Sequence, residues 1–259
     1  MPRGDTRPQD GEARCAGSRG IKWTGVLART AGLIALVAAV LLAHRCTAFT
    51  PMADRPAPGS PSTERIRSLL DRVQVIPERP DIPGYERDCG PGGGCVFGSA
   101  WTDATSAPLS HNGCDTRNDV LARAMSGVRF RPGTGRCVVV AGLLDDPYTG
   151  SRITFRKSDA GKVQIDHVIP LAAAWDLGAH TWTPAMRRRF ANDTDFELLA
   201  VDGPANMRKS DSTPQDWIPG PAAYRCFYAA KYLAVAVRYS LPITAGDRTV
   251  LAHIADRCG

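Results

Sequence analysis

The sequence predicts an α+β domain, and three features carry that reading. Short strand-like runs, CVVVAGLL (Cys137–Leu144), VQIDHVI (Val163–Ile169) and FELLAV (Phe196–Val201), are interspersed with helical patterns. A longer apolar-rich stretch, AAYRCFYAAKYLAVAVRY, reads as a helix packed behind them. Six cysteines in the body of the chain, Cys89, Cys95, Cys114, Cys137, Cys226 and Cys258, form an even set, as expected of an exported, disulfide-stabilised domain.

At 259 residues the chain can hold one sizeable domain plus accessory segments. Its net charge of +6 invites a nucleic-acid reading that does not survive division of the chain. Residues 1–50 hold seven Lys/Arg against three Asp/Glu, while residues 51–259 hold 25 against 23. The basicity belongs mostly to a leader, residues 1–48, in which a polar, Arg-rich stretch precedes the uncharged AGLIALVAAVLLA (Ala31–Ala43). That run is shorter than the roughly 20 residues of a membrane span. Carried back to Gly25 it reaches that length but takes in Arg29. Cys46-Thr47-Ala48 offers small residues for cleavage. A cleaved signal peptide and an uncleaved anchor that tethers the chain to the membrane both fit, and both put the body outside the cytoplasm.

Residues 49–63 are rich in Pro, Ser and Ala and read as an extended linker to a domain over 64–259. Ser62 or Thr63 caps a helix over ERIRSLLDRVQ, with Ile66, Leu69, Leu70 and Val73 on its apolar side. In CGPGGGC no GK[ST] follows and no helix opens, so a disulfide-closed turn is favoured over a phosphate cradle. A helix over DTRNDVLARAM takes Asp115 or Thr116 as its cap. CVVVAGLL, ended by the turn DDPYTG, is a buried strand; Ile153–Phe155 and Val163–Ile169 are strands flanking KSDAGK. LAAAWDLGA forms a short helix after Pro170, and a second begins at Thr183-Pro184 and runs through MRRRFAND. FELLAV is a strand, Asp202-Gly203 a turn, and Pro204 opens the helix PANMRKS. Cysteine connectivity is not fixed by spacing; pairing neighbours along the chain gives Cys89–Cys95, Cys114–Cys137 and Cys226–Cys258. No CxxC or Cys-His cluster with zinc spacing occurs.

The order is therefore a strand ending in Asp166-His167, two helices, a strand, a tight turn and a helix bearing Asn206 and Lys209. The ordered set IDHVIPL, AW, RRRFAND, ELLAVDGPAN, KSD and W.P resembles the HNH (ββα-metal) nuclease domain at the C-terminus of GmrSD-type restriction endonucleases. Upstream, GY.R, FG..W.D, CDTRNDVL, C.V..G.L.DPYTG and I.F resemble its exported, actinobacterial-like subfamily. The likeness covers roughly residues 66–259, with the metal-site core at about 163–212.

The resemblance implies an exported, metal-dependent endonuclease that hydrolyses DNA with low sequence specificity, RNA being left open. His167 is then the general base, a role suited to an unperturbed pKa near 6.5. Asp166 and Asn206 hold one divalent cation, Mg²⁺ or Mn²⁺, through oxygen atoms. Lys209, on the same helical face as Asn206, grips phosphate, with Arg208 and Arg117 as further candidates. Each has a plainer reading: a solvated surface for Arg208 and the Arg187–Arg189 run, a core ion pair for Arg117, a core histidine for His167. No protein partner is inferable.

One position departs from the family pattern. The family places an asparagine where FELLAV has Glu197, and ionised Glu accepts hydrogen bonds but cannot donate them. Three roles are open to Glu197: bracing the loop that holds the base, ligating metal, or marking a weakened catalyst. Asn192 is a candidate to take over the missing amide. A catalytically weakened HNH scaffold that binds nucleic acid or an envelope partner is the alternative function.

Overall fold

The computed structural model describes residues 60–259; the expected leader, its signal or anchor segment and the linker up to residue 59 lie outside the described residues. The described chain is a mixed α/β domain with small sheets and three disulfides. Helix α1 (Thr63–Leu70) opens under the Ser62 cap and buries Ile66, Leu69 and Leu70. Strand β1 (Val75–Ile76) follows. A long loop then leads to α2 (Thr116–Ala124), whose N-cap is Asp115. Strands β2 (Ser126–Phe130), β3 (Val139–Asp145) and β4 (Arg152–Arg156) form an antiparallel three-stranded sheet. β3 is not buried throughout, since Leu143 is exposed on the outer face.

KSDAGK is a 3-10 segment rather than a plain turn. It feeds β5 (Val163–His167), which pairs antiparallel with β6 (Leu198–Asp202) across two short helices, α3 (Leu171–Asp176) and α4 (Pro184–Ala191). Thr183 caps α4 and Pro184 takes its first turn, where a missing N–H does no harm. Helix α5 (Gly203–Lys209) starts directly from β6 under an Asp202 cap. Helix α6 (Ala222–Tyr239) is the long apolar helix expected from sequence. Strand β7 (Ile243–Thr244) pairs parallel with β1, and α7 (Ala245–Ala255) closes the chain with a Thr244/Asp247 capping box.

The β5–β6 ribbon separates two apolar clusters. Val163, Ile165, Leu198 and Ala200 face a smaller core shared with α2 and the three-stranded sheet. Val201, with Val168 and Ile169 just past β5, joins a larger core built on α1, α3, α6 and α7. The register pairs His167 with Leu198 and Asp166 with Leu199. The end of β5 is thus fixed from both sides.

The cysteines pair as neighbours along the chain: Cys89–Cys95, Cys114–Cys137 and Cys226–Cys258. The first closes a short turn inside the long loop ahead of α2, the second ties the end of that loop to the start of β3, and the third ties α6 to the end of the chain.

Candidate functional site

His167 is the last residue of β5, and its ring is held on two sides. The Nε2 atom lies 3.0 Å from the Ala191 carbonyl, a pure acceptor, so Nε2 carries the proton and Nδ1 is left with a lone pair. The Trp101 ring stacks on the imidazole, 5.6 Å between centroids at 12°. Only 7% of His167 is exposed, and burial pushes its pKa down to about 3, with Arg87 and Lys209 adding to the effect. The imidazole is therefore neutral at physiological pH.

Asp166 points to the opposite face of the ribbon, as alternation requires. Its carboxylate accepts from the Tyr148 hydroxyl at 2.5 Å and pairs with the Lys209 ammonium at 3.0 Å. Burial raises the Asp166 pKa, while Lys209 and Tyr148 pull it the other way. Tyr148 is delivered by the turn after β3. Asp146 holds that turn by accepting from Thr149 N at 2.7 Å and from Asp202 N, at the end of β6, at 2.8 Å.

Lys209 corrects the sequence-based expectation. It is 0% exposed, and its ammonium donates to Asp166 and to the His167 carbonyl at 2.9 Å. A side chain with no free surface does not reach a phosphate; this lysine positions the Asp-His strand end.

Asn206 stands one helical turn before Lys209, half-buried, and donates to Gln164 Oε1 at 2.9 Å. Its carbonyl oxygen stays available. The backbone puts it there through a close approach: a Cβ on Gly203 would lie 2.1 Å from the Gly161 carbonyl oxygen, so only glycine lets α5 start against the 3-10 segment. Asp166, His167, Asn206 and Gln164 all line one cleft of about 460 Å³.

Glu197 does not lie on β6 but one residue before it, fully buried. Its backbone carbonyl accepts from Val168 N at 2.9 Å and its Oε2 from Ile169 N at 3.4 Å. The Glu197 backbone and side chain together hold the two residues after His167, the backbone carbonyl taking Val168 N and the carboxyl Ile169 N, and the side chain contributes no lining to the cleft. Burial raises its pKa well above the ordinary value, and its Oε1 is buried with no hydrogen-bond partner among the described residues. Protonated, the carboxyl would carry one O–H donor beside its acceptor, as an asparagine amide does. Asn192 does not take over that role. It ends α4, donating to the Arg188 carbonyl at 2.9 Å.

The arginine candidates separate. Arg208 is exposed and has no hydrogen-bond partner among the described residues, but it does not line the cleft. Arg117 lines it, yet its guanidinium donates to the Val163 and Ala160 carbonyls, so it fixes the entry of β5 without any ion pair. None of Arg187, Arg188 and Arg189 lines the cleft; Arg187 binds the Val96 carbonyl at 2.6 Å.

Two residues that sequence reasoning passed over complete the site. Arg87 is exposed, lines the cleft and has no ion-pair or side-chain hydrogen-bond partner among the described residues. Trp101 covers His167. Both sit in the strings GY.R and FG..W.D that carried the resemblance, where neither residue type signals chemistry by itself.

Among the described residues no group of three His, Cys, Asp or Glu side chains gathers to hold a metal. A cation in this cleft would rest on one carboxylate, one amide oxygen and water. That is a hard-oxygen set, suited to Mg²⁺ or Mn²⁺ and unsuited to softer metals.

Fold and disulfides together define a mixed α/β, disulfide-bonded domain. The family model for the C-terminal domain of GmrSD restriction endonucleases matches residues 115–254, and the chain belongs to that family. It is also 32% identical over 210 residues to an "Uncharacterized secreted protein" of Arthroderma benhamiae, covering 81% of this chain and 92% of that protein. No solved structure matches the chain.

Proposed function

We propose that the protein is an extracytoplasmic, metal-dependent endonuclease of the ββα-metal class that hydrolyses phosphodiester bonds of DNA with low sequence specificity. β5, β6 and α5 form the ββα unit. One observation carries the reading: the neutral His167 ring, oriented through Nε2 to a backbone carbonyl, shares a cleft with Asp166 and Asn206. Three disulfides and the secreted character of the relative support export. No helix among the described residues is long and apolar enough to cross a membrane, so any tether belongs to the leader.

In this mechanism His167 Nδ1 takes a proton from the water that attacks phosphorus. The bond to the departing sugar oxygen breaks as the new P–O bond forms. Arg87 neutralises a phosphate oxygen at the mouth of the cleft, and in doing so offsets one of the charges that depress His167. Asp166 and Asn206 would hold one divalent cation, Mg²⁺ or Mn²⁺. Bound there, it supplies Lewis acidity to the phosphate and to the leaving oxygen. Lys209 and Tyr148 hold the Asp166 carboxylate, and Glu197 holds the turn after the base.

The alternative, a non-catalytic module on the same scaffold, draws on the engagement of both Asp166 oxygens by Tyr148 and Lys209. Plasmid DNA incubated with Mg²⁺ or Mn²⁺ separates the two. Nicking that is abolished by EDTA and by His167→Ala supports the nuclease. DNA binding without turnover, unrescued by Glu197→Asn, favours the module.

A further inference from the structure

A second cavity, about 480 Å³, also opens beside His167, and Asn206 is not part of its lining. It shares Arg87, Trp101, His167 and Leu171 with the first cleft, so the two are adjacent. Their linings differ. The first presents Asp166, Gln164 and Asn206, groups suited to a cation and a phosphate. The second presents Trp101, Phe97, Leu171 and Ala191, with Asn192 in its wall. Phe97 is buried and packed edge-on or tilted against Tyr85, Trp175 and Phe190, so this aromatic wall is rigid.

Asn192 adds a polar clue. It is 1% exposed, its Nδ2 donates to the Arg188 carbonyl, and its Oδ1 has no hydrogen-bond partner among the described residues. The cavity's aromatic and apolar lining suits a flat ligand. The Trp101 ring is held in place by its own backbone. That backbone sits at φ +56°, its carbonyl accepts from Thr116 N at 3.2 Å, and its loop is bounded by the Cys89–Cys95 and Cys114–Cys137 bridges.

A nucleotide joins its phosphate to its base through a single sugar. With the phosphate at Arg87 and His167, the adjacent base therefore reaches this second cavity. We propose that the cavity is a nucleobase pocket, and that the preferred substrate is single-stranded nucleic acid, which gives up one base next to the scissile phosphate. The inference rests on the nuclease reading for its orientation, and deepens it from nucleic acid in general to unpaired strands. Duplex DNA has to unstack and unpair that base first, which slows it relative to the free strand.

The full-length chain with Mn²⁺ is tested on one sequence as a single strand, as a duplex, and as a single strand made abasic on either side of the cut. The pocket predicts single-strand cleavage faster than duplex by about 5- to 150-fold, the range of one base–aromatic stack. The abasic site erases that advantage. Trp101→Ala lowers the strand-to-duplex ratio, and Trp101→Phe, which keeps a stacking face, restores most of it. Equal losses on strand and duplex in Trp101→Ala, or indifference to the abasic site, overturn the proposal and leave Trp101 as a packing partner of His167. A second readout separates the two claims: titration of a dinucleoside phosphate in EDTA, followed by tryptophan fluorescence. Quenching that requires the bases and Trp101, in a chain that cuts nothing, sinks the nuclease and keeps the pocket; cleavage without such quenching does the reverse.

Discussion

The two walls of the cleft are made in different ways. One wall is regular structure: β5, β6 and α5 supply Asp166, His167, Asn206 and Lys209, each held by a ladder, a cap or a buried partner. The other is irregular: the loop from Tyr85 to Cys114 supplies Arg87 and Trp101 and owes its shape to disulfides and turn hydrogen bonds. The first wall carries groups whose positions must be exact for proton transfer. In the proposed reading the second carries groups that contact substrate over an area. On the proposed function, catalysis thus falls to regular structure and recognition to a disulfide-tied loop.

Breaking the regular wall has the largest expected effect. His167→Ala removes the base and lowers cleavage by roughly 10²- to 10⁴-fold; a smaller loss with unchanged melting would assign the proton to another group. Lys209→Met comes next. It leaves Asp166 buried without its cation, a change that costs about 3–5 kcal/mol. Thermal melting of Lys209→Met and of the double variant with Asp166→Asn checks this, since the second change relieves the first. Equal melting of single and double variants would show that the pair is not coupled. Breaking the irregular wall is milder. Cys89→Ser with Cys95→Ser opens a six-residue loop and costs about 2 kcal/mol on the chain-entropy estimate. Because Arg87 lies beside that loop, KM rises while kcat holds; a fall in kcat alone would place the loop's contribution in the chemical step.

The same contrast governs how much is legible in the sequence. The regular wall can be read because periodicity, caps and the Asp202-Gly203-Pro204 signal each leave a local trace. The three cysteine pairs coincide with neighbour pairing along the chain, although spacing alone leaves the connectivity open. Strand β2 escapes a sequence reading because SGVRF is short, carries Gly127 at positive φ and pairs with irregular register. Strands β1 and β7 escape it because two residues have no pattern. Arg87 and Trp101 stay hidden because a loop records nothing locally about what it faces. Lys209 is placed correctly by its spacing, which gives the helical face, but the role that spacing suggests is wrong. Only the packing shows that this face is sealed against Asp166.

Glu197 gives the smallest and most discriminating test of the regular wall. Burial raises its carboxyl well above the ordinary value of 4.5. The folded chain therefore keeps a proton there that the unfolded chain releases at lower pH. The stability linked to this proton is fully present below the unfolded pKa and is lost as pH rises toward the folded one. Glu197→Gln keeps an acceptor for Ile169 N and supplies N–H donors, but does not titrate. Its melting temperature relative to the native chain should climb as pH rises above the ordinary carboxyl value of 4.5, because only the native chain loses that contribution. A difference that stays flat across this window would mean that Glu197 is ionised in the fold. The acceptor-only objection to this residue would then stand again.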